Sequence, residues 1–142
     1  MINILLLEDH SASGSQFKSL ISTFFLDTGI ELAQDRDAAI QMIRQQEYHL
    51  IILVLNLRRK DFLELVREII SFKPMSRILM MGTQSEQTSA RTYLQAGAMG
   101  FLSKDASRSE IKRAINSILH NKRYMSASLL ETYMHSIINE RV

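Results

Sequence analysis

Four short stretches carry side chains that could do chemistry: the adjacent acids Glu8-Asp9, the pair Gly82-Thr83, the lone Lys104, and the segment Val54-Leu55-Asn56. Each lies at the end of an apolar run, Ile2–Leu7, Ile78–Met81, Met99–Leu102 and Leu50–Leu55 respectively. If those runs are neighbouring strands of a doubly wound sheet, their carboxyl ends open onto one crevice, and residues far apart in sequence meet there. Two adjacent carboxylates at such a mouth suit a hard cation, because magnesium takes one or two carboxylates together with carbonyls and waters. A lysine beside them would pair with Glu8 or Asp9, since opposite charges a few ångströms apart favour both ionised forms. The Leu50–Leu55 run supplies no acid: Val54 is a branched hydrocarbon and Asn56 an amide.

The elements that must position these residues are legible in the hydrophobic pattern. Short apolar runs alternate with segments of helical period, which predicts five βα units and a parallel sheet. Strand one is expected over Ile2–Leu7, and helix one from about Ser13, burying Phe17, Leu20, Ile21 and Phe24 at spacings of three and four. Gly29 should break the chain before a short strand at Ile30–Gln34, followed by a helix with the stripe Ala38, Ala39, Met42 and Ile43. Leu50–Leu55 is almost wholly apolar, as a central parallel strand buried on both faces should be. Asp61 can cap helix three, with Glu64 completing the capping pattern. Ile78–Met81, a helix over Ser85–Gln95 ending at a left-handed Gly97, a strand near Gly100, and a helix over Arg108–His120 beside helix one complete the cycle. Ser126 or Ser128 can then cap a sixth, amphipathic helix carrying Leu130, Tyr133, Met134 and Ile137. This helix either folds back on the body or serves as a dimer seam or a linker to a further domain.

With 142 residues, 46% of them hydrophobic and 23% charged, the composition is that of one ordinary globular domain. The absence of cysteine excludes disulfides, thiol chemistry and the usual structural zinc ligands. No run approaches the ~20 apolar residues of a membrane span, and no signal segment opens the chain, so a cytoplasmic protein without membrane attachment is expected. Lys and Arg number 17 against 15 Asp and Glu, too even a balance to imply a nucleic-acid groove within these residues. His10, His49, His120 and His135 are scattered without metal-ligand spacing and are expected at the surface.

Three motifs together carry a family resemblance over about residues 2–125. Leu7-Glu8-Asp9-His10, the run Ala96-Gly97-Ala98-Met99-Gly100-Phe101-Leu102-Ser103-Lys104-Asp105-Ala106, and Asn121-Lys122-Arg123-Tyr124-Met125-Ser126 are similar to segments of the receiver domain of bacterial two-component response regulators, in the LuxR-type subfamily. The resemblance implies a flavodoxin-like, five-stranded parallel sheet of (βα)5 plan with strand order 2-1-3-4-5. It also implies a receiver over residues 1–124 and a linker or dimerisation helix over 125–142.

The resemblance puts Val54 where receivers keep the aspartate that takes a phosphoryl group and helps hold the metal, so a pseudo-receiver is expected. Gly82 falls at the position of a phosphate-binding hydroxyl, with Thr83 able to substitute only if the strand end slips. Lys104 matches the phosphate-contacting lysine and would plug the pocket instead. Phe101 matches the switch aromatic, left with nothing to sense. Magnesium should bind Glu8 and Asp9 weakly or not at all, and no other cofactor is expected. Leu57-Arg58-Arg59-Lys60 replaces the usual turn after the third strand, and its three cations can neutralise the acidic mouth in place of metal.

The expected function is therefore binding and not catalysis: a protein partner or homodimer, with DNA reached only through an output domain outside these residues, or else a stand-alone signalling adaptor. An FMN-binding flavodoxin-like protein is a rival, because Ser11-Ala12-Ser13-Gly14-Ser15 loosely resembles a flavin-phosphate loop. Glu8 and Asp9 would repel that phosphate, and there is no tryptophan to stack on a flavin. Receiver chemistry on an unconventional acceptor is the other rival.

Overall fold

The computed structural model describes residues 1–8, 11–55, 62–83 and 90–140. Its elements run β1 (Ile2–Leu7), α1 (Ser11–Ser22), β2 (Thr28–Ala33), α2 (Arg36–Gln45), β3 (Leu50–Val54), α3 (Phe62–Phe72), β4 (Ile78–Gly82), α4 (Ala90–Ala96), β5 (Gly100–Ser103), α5 (Arg108–Leu119), β6 (Tyr124–Met125) and α6 (Ala127–Glu140). Every strand pairing is parallel, and the sheet order is β2-β1-β3-β4-β5-β6. The doubly wound α/β plan is the expected one, with six strands in place of five.

The additional strand continues the sheet past β5, where Gly100 pairs with Tyr124 and Phe101 with Met125. Two residues are too few to show a period of two, which is why the sequence pattern does not announce this strand. Gly100 permits the close approach: a Cβ there would lie 2.7 Å from the Tyr124 carbonyl oxygen. The Tyr124 hydroxyl then donates to Glu110 Oε1 at 3.1 Å, tying the edge strand to α5.

Strand two begins earlier than expected, at Thr28. Asp27 makes the turn at φ 57°, so Gly29 lies inside the strand opposite Asn3. Helix one begins at Ser11, two residues earlier than expected, while the start predicted for helix four at Ser85 and the Asp61 cap of helix three fall outside the described residues. His49 is more than a surface residue, since its Nδ1 accepts the Asn3 backbone N–H at 3.0 Å between β1 and β3.

Alternation along the strands sorts side chains onto two cores. Leu5, Leu7, Ile51, Leu53, Met80 and Phe101 pack with residues of α2, α3 and α4. Leu6, Ile52, Val54, Leu79, Met81 and Leu102 pack with Ile21 of α1 and with Ile111, Ala114, Ile115 and Ile118 of α5. Helices one and five thus cover the same face, as expected, and Arg108 bridges them by donating to Thr23 Oγ1 at 2.6 Å.

Local signals stop and start the helices. Asp35 and Ser107 cap α2 and α5 by accepting from the N–H groups of Ala38 and Glu110 at 2.8 and 3.1 Å. After α4 the Ala98 and Gly97 amides donate back to the Tyr93 and Leu94 carbonyls, and Gly97 sits at φ 123°. A Cβ at Gly97 would also meet Ile70 Cγ1 at 2.8 Å.

Gly97→Ala should therefore lower stability by about 1–2 kcal/mol, from the positive φ and the clash together, read as a shifted urea midpoint. A second expectation concerns pH. Burial, and then the bond to Glu110, raises the Tyr124 phenol above its ordinary value. The native state keeps that proton where the unfolded chain has released it, so the contribution is complete below about pH 10 and is lost as pH rises through the raised value. Tyr124→Phe should flatten the alkaline fall of the urea midpoint, leaving the part owed to Tyr48, whose phenol burial also raises.

Candidate functional site

The carboxyl ends of β1, β3, β4 and β5 meet at a cleft of about 400 Å³ on the α1/α5 side of the sheet. Glu8, Val54, Met81 and Lys104 line it from the strand ends, with Phe17, Leu20, Ala106 and Ile111 completing the wall. Sequence reasoning brings Glu8, Val54 and Lys104 to this place and misses Met81, Phe17, Leu20 and Ile111. Met81 stands beside Val54 in the β3–β4 register and shares its face, a pairing that residue order does not specify.

Val54 is the last residue of β3 and is 7% exposed. The flanking Leu53 and Leu55 face the α2–α4 side, so the chain's alternation turns Val54 toward the cleft. Strand β4 keeps regular register to its end, with Gly82 opposite Ser103 and the Lys104 amide donating to the Gly82 carbonyl at 3.0 Å. No slip moves Thr83 into the place of Gly82. Thr83 follows the strand, half-buried and engaged in contacts of its own.

Lys104 Nζ donates to the Leu55 carbonyl oxygen at 2.5 Å. That bond is to backbone, whereas the sequence pattern pairs the lysine with Glu8 or Asp9, of which Asp9 lies outside the described residues. The carbonyl is available because β3 has just ended, although the Leu55 amide still donates to Met81 at 2.7 Å. The lysine thereby ties the loop after β5 to the end of β3. Phe101 points to the opposite face, fully buried, with its ring 6.3 Å from that of Tyr93.

Magnesium demands near-octahedral oxygen donors. Among the described residues no three His, Cys, Asp or Glu side chains cluster as a metal site, and at this mouth Glu8 is the described acid while Val54 offers methyl groups. The described residues thus supply one carboxylate of the one or two that magnesium takes. Asp9, Asn56, the cations Arg58, Arg59 and Lys60, and Asp61 lie outside the described residues. The Ser11–Ser15 run belongs to α1 and is not the phosphate-cradling loop a flavodoxin would need.

On α6, Leu130, Met134 and Ile138 are 47%, 49% and 56% exposed at spacings of four, and Ile137 is half-buried. The Tyr133 side chain lies outside what is described. Ser126 precedes the helix, and its carbonyl accepts from the Leu130 amide at 2.8 Å. No helix among the described residues is long and apolar enough to cross a membrane.

The fold and this convergence of strand ends define a signalling module of the receiver class. The model of the response regulator receiver domain matches residues 4–116, and the chain belongs to that family. It is 24% identical over 131 residues to the response regulator UvrY of Escherichia coli, covering 92% of this chain and 60% of that protein. It is 30% identical over 122 residues to a putative transcriptional regulator of Pseudomonas aeruginosa, covering 84% of this chain and 57% of that one. A crystal structure of a LuxR-family two-component response regulator from Aurantimonas sp. SI85-9A1 superposes with a TM-score of 0.86 at 23% identity, covering 96% and 97% of the two chains. The chain thus spans about 60% of the length of the curated relatives it matches. Receiver domains bind magnesium at their phosphorylation site in general.

Val54→Asp would bury a carboxylate among the apolar side chains of this face. It should cost about 2–4 kcal/mol in urea unfolding without divalent ions, and regain part of that loss in millimolar magnesium. Unchanged stability would mean that residue 54 is turned to solvent.

Proposed function

We propose that the chain is the receiver-like part of a LuxR-type response regulator whose phosphoacceptor position is held by Val54, and that it acts without phosphorylation through protein–protein contact or self-association. DNA would be reached through an output domain outside these residues. The observation that carries this reading is the identity and setting of Val54: an almost fully buried valine on the cleft face at the carboxyl end of the central strand. Phosphoryl transfer to a side chain needs a nucleophilic atom with a free lone pair, such as a carboxylate oxygen, and an isopropyl group has none.

Three further features support it. Gly82 puts no hydroxyl at the end of β4, Lys104 is engaged by the Leu55 carbonyl, and Phe101 is packed as a core residue against Tyr93. In this reading Glu8 and Asp9 are relics of a metal site, and the Lys104 bond fixes the pocket in one state. Output then depends on surfaces that are always presented. The exposed stripe Leu130, Met134 and Ile138 on α6 favours a partner or a second copy there, whether the natural protein continues into an output domain or works as an adaptor.

Incubation with a small acyl phosphate and magnesium, followed by intact mass measurement, tests the reading. The mass should stay unchanged, with Val54→Asp as the comparison chain; a persistent single phosphate on the wild type would overturn it.

A further inference from the structure

We infer that the cleft between β1, β3, β4 and β5 is a binding site for a small zwitterion with one hydrocarbon arm, of the class of the apolar α-amino acids. The inference rests on the reading of Val54 as a position that accepts no phosphate. With that chemistry absent, the cleft is a hollow with an apolar wall and a polar mouth. Its volume of about 400 Å³ lies in the range of small-molecule sites. Among the described residues, Phe17, Leu20, Val54, Met81, Ala106 and Ile111 form the apolar part, and the charged side chains that line it are one of each sign, Glu8 and Lys104.

That charge pair selects the ligand. A bare anion such as inorganic phosphate would gain Lys104 but be opposed by Glu8, and a bare cation would meet the reverse. A divalent metal would find one described carboxylate, Glu8, and be opposed by the Lys104 ammonium. A zwitterion satisfies both: its carboxylate accepts from the Lys104 ammonium and its ammonium donates to the Glu8 carboxylate. Each protein group has capacity to spare. Lys104 Nζ has three N–H donors, of which the Leu55 carbonyl takes one. A carboxylate accepts at several lone pairs, so Glu8 can receive an ammonium beside the contact it already makes.

The apolar arm is equally specified. Val54 and Met81 stand side by side on β3 and β4, the former rigid and branched, the latter flexible and polarisable. Ile111 from α5 and Phe17 from α1 line the same cleft, so a branched or aromatic side chain of moderate size would displace water from hydrocarbon there. A phosphoacceptor acid at position 54 would put a charge on this floor. The substitution that removes receiver chemistry is thus the one that makes the wall apolar.

The test is a titration of the full chain, carrying ¹³C-labelled valine and methionine methyls, with L-phenylalanine and with L-leucine. Saturable shifts of the Val54 and Met81 methyls are expected, with nuclear Overhauser contacts from the amino-acid side chain to both. Hexanoate and hexylamine, each lacking one charge, should bind about tenfold more weakly, and Glu8→Gln and Lys104→Met should each weaken the amino acid by about tenfold. The inference is overturned if the wild-type methyls do not saturate, if the contacts fall elsewhere, or if hexanoate binds as tightly as the amino acid. The wild-type arms do not depend on the variants folding. Intact mass after acyl phosphate treatment separates the two readings: a phosphate adduct sinks the pseudo-receiver itself, whereas an unmodified chain with silent methyls sinks the ligand site alone.

Discussion

A strand buried on both faces must commit each successive side chain to one core or the other, and this constraint governs most of what the molecule does. All five residues of β3 are buried, with neighbours β1 and β4 on either side and helices above and below. Alternation leaves no freedom over where residue 54 points once Leu53 is committed to the α2–α4 core. The end of a central strand is also where the sheet opens, so one position belongs at once to the core and to the cleft. An ionisable side chain there carries a desolvation cost that valine avoids, and Val54 extends the hydrophobic core to the edge of the cleft.

The rest of the cleft is consistent with that exchange. A lysine ammonium near a strand end needs an acceptor, and a backbone carbonyl just beyond β3 supplies one within the fold's own geometry. The resulting tie joins β5 to β3 across β4, three strands whose ends would otherwise be linked through the ladder alone. Phe101 does not share this neighbourhood: alternation on β5 sends it to the opposite core, beside Tyr93. Between cleft and aromatic, the backbone runs through Leu102, Ser103 and the β4–β5 pairing.

At the other margin, β6 lengthens the sheet beyond the five-unit repeat and brings the chain to α6 in a defined direction. Gly100, Tyr124 and Glu110 cooperate in this: the glycine admits the backbone, and the phenol anchors it to α5. The segment leading to α6 is part of the sheet, so the helix starts from the sheet edge, and its Leu130, Met134 and Ile138 are exposed.

The amino-acid sequence by itself determined the alternation of strands and helices, the buried central strand, the glycine stop at Gly97 and the absence of an acid at position 54, because periodicity, propensity and residue identity are local properties. It also carried Glu8, Val54 and Lys104 to one place, since parallel strands of a doubly wound sheet must end together. Only the tertiary structure decided that Lys104 bonds to the Leu55 carbonyl, that Met81, Phe17, Leu20 and Ile111 complete the wall, that β2 begins at Thr28 and that a two-residue β6 joins the sheet. Those outcomes depend on register, on close backbone approach and on which of several acceptors lies within reach of a long side chain, and none of these leaves a trace in residue order alone.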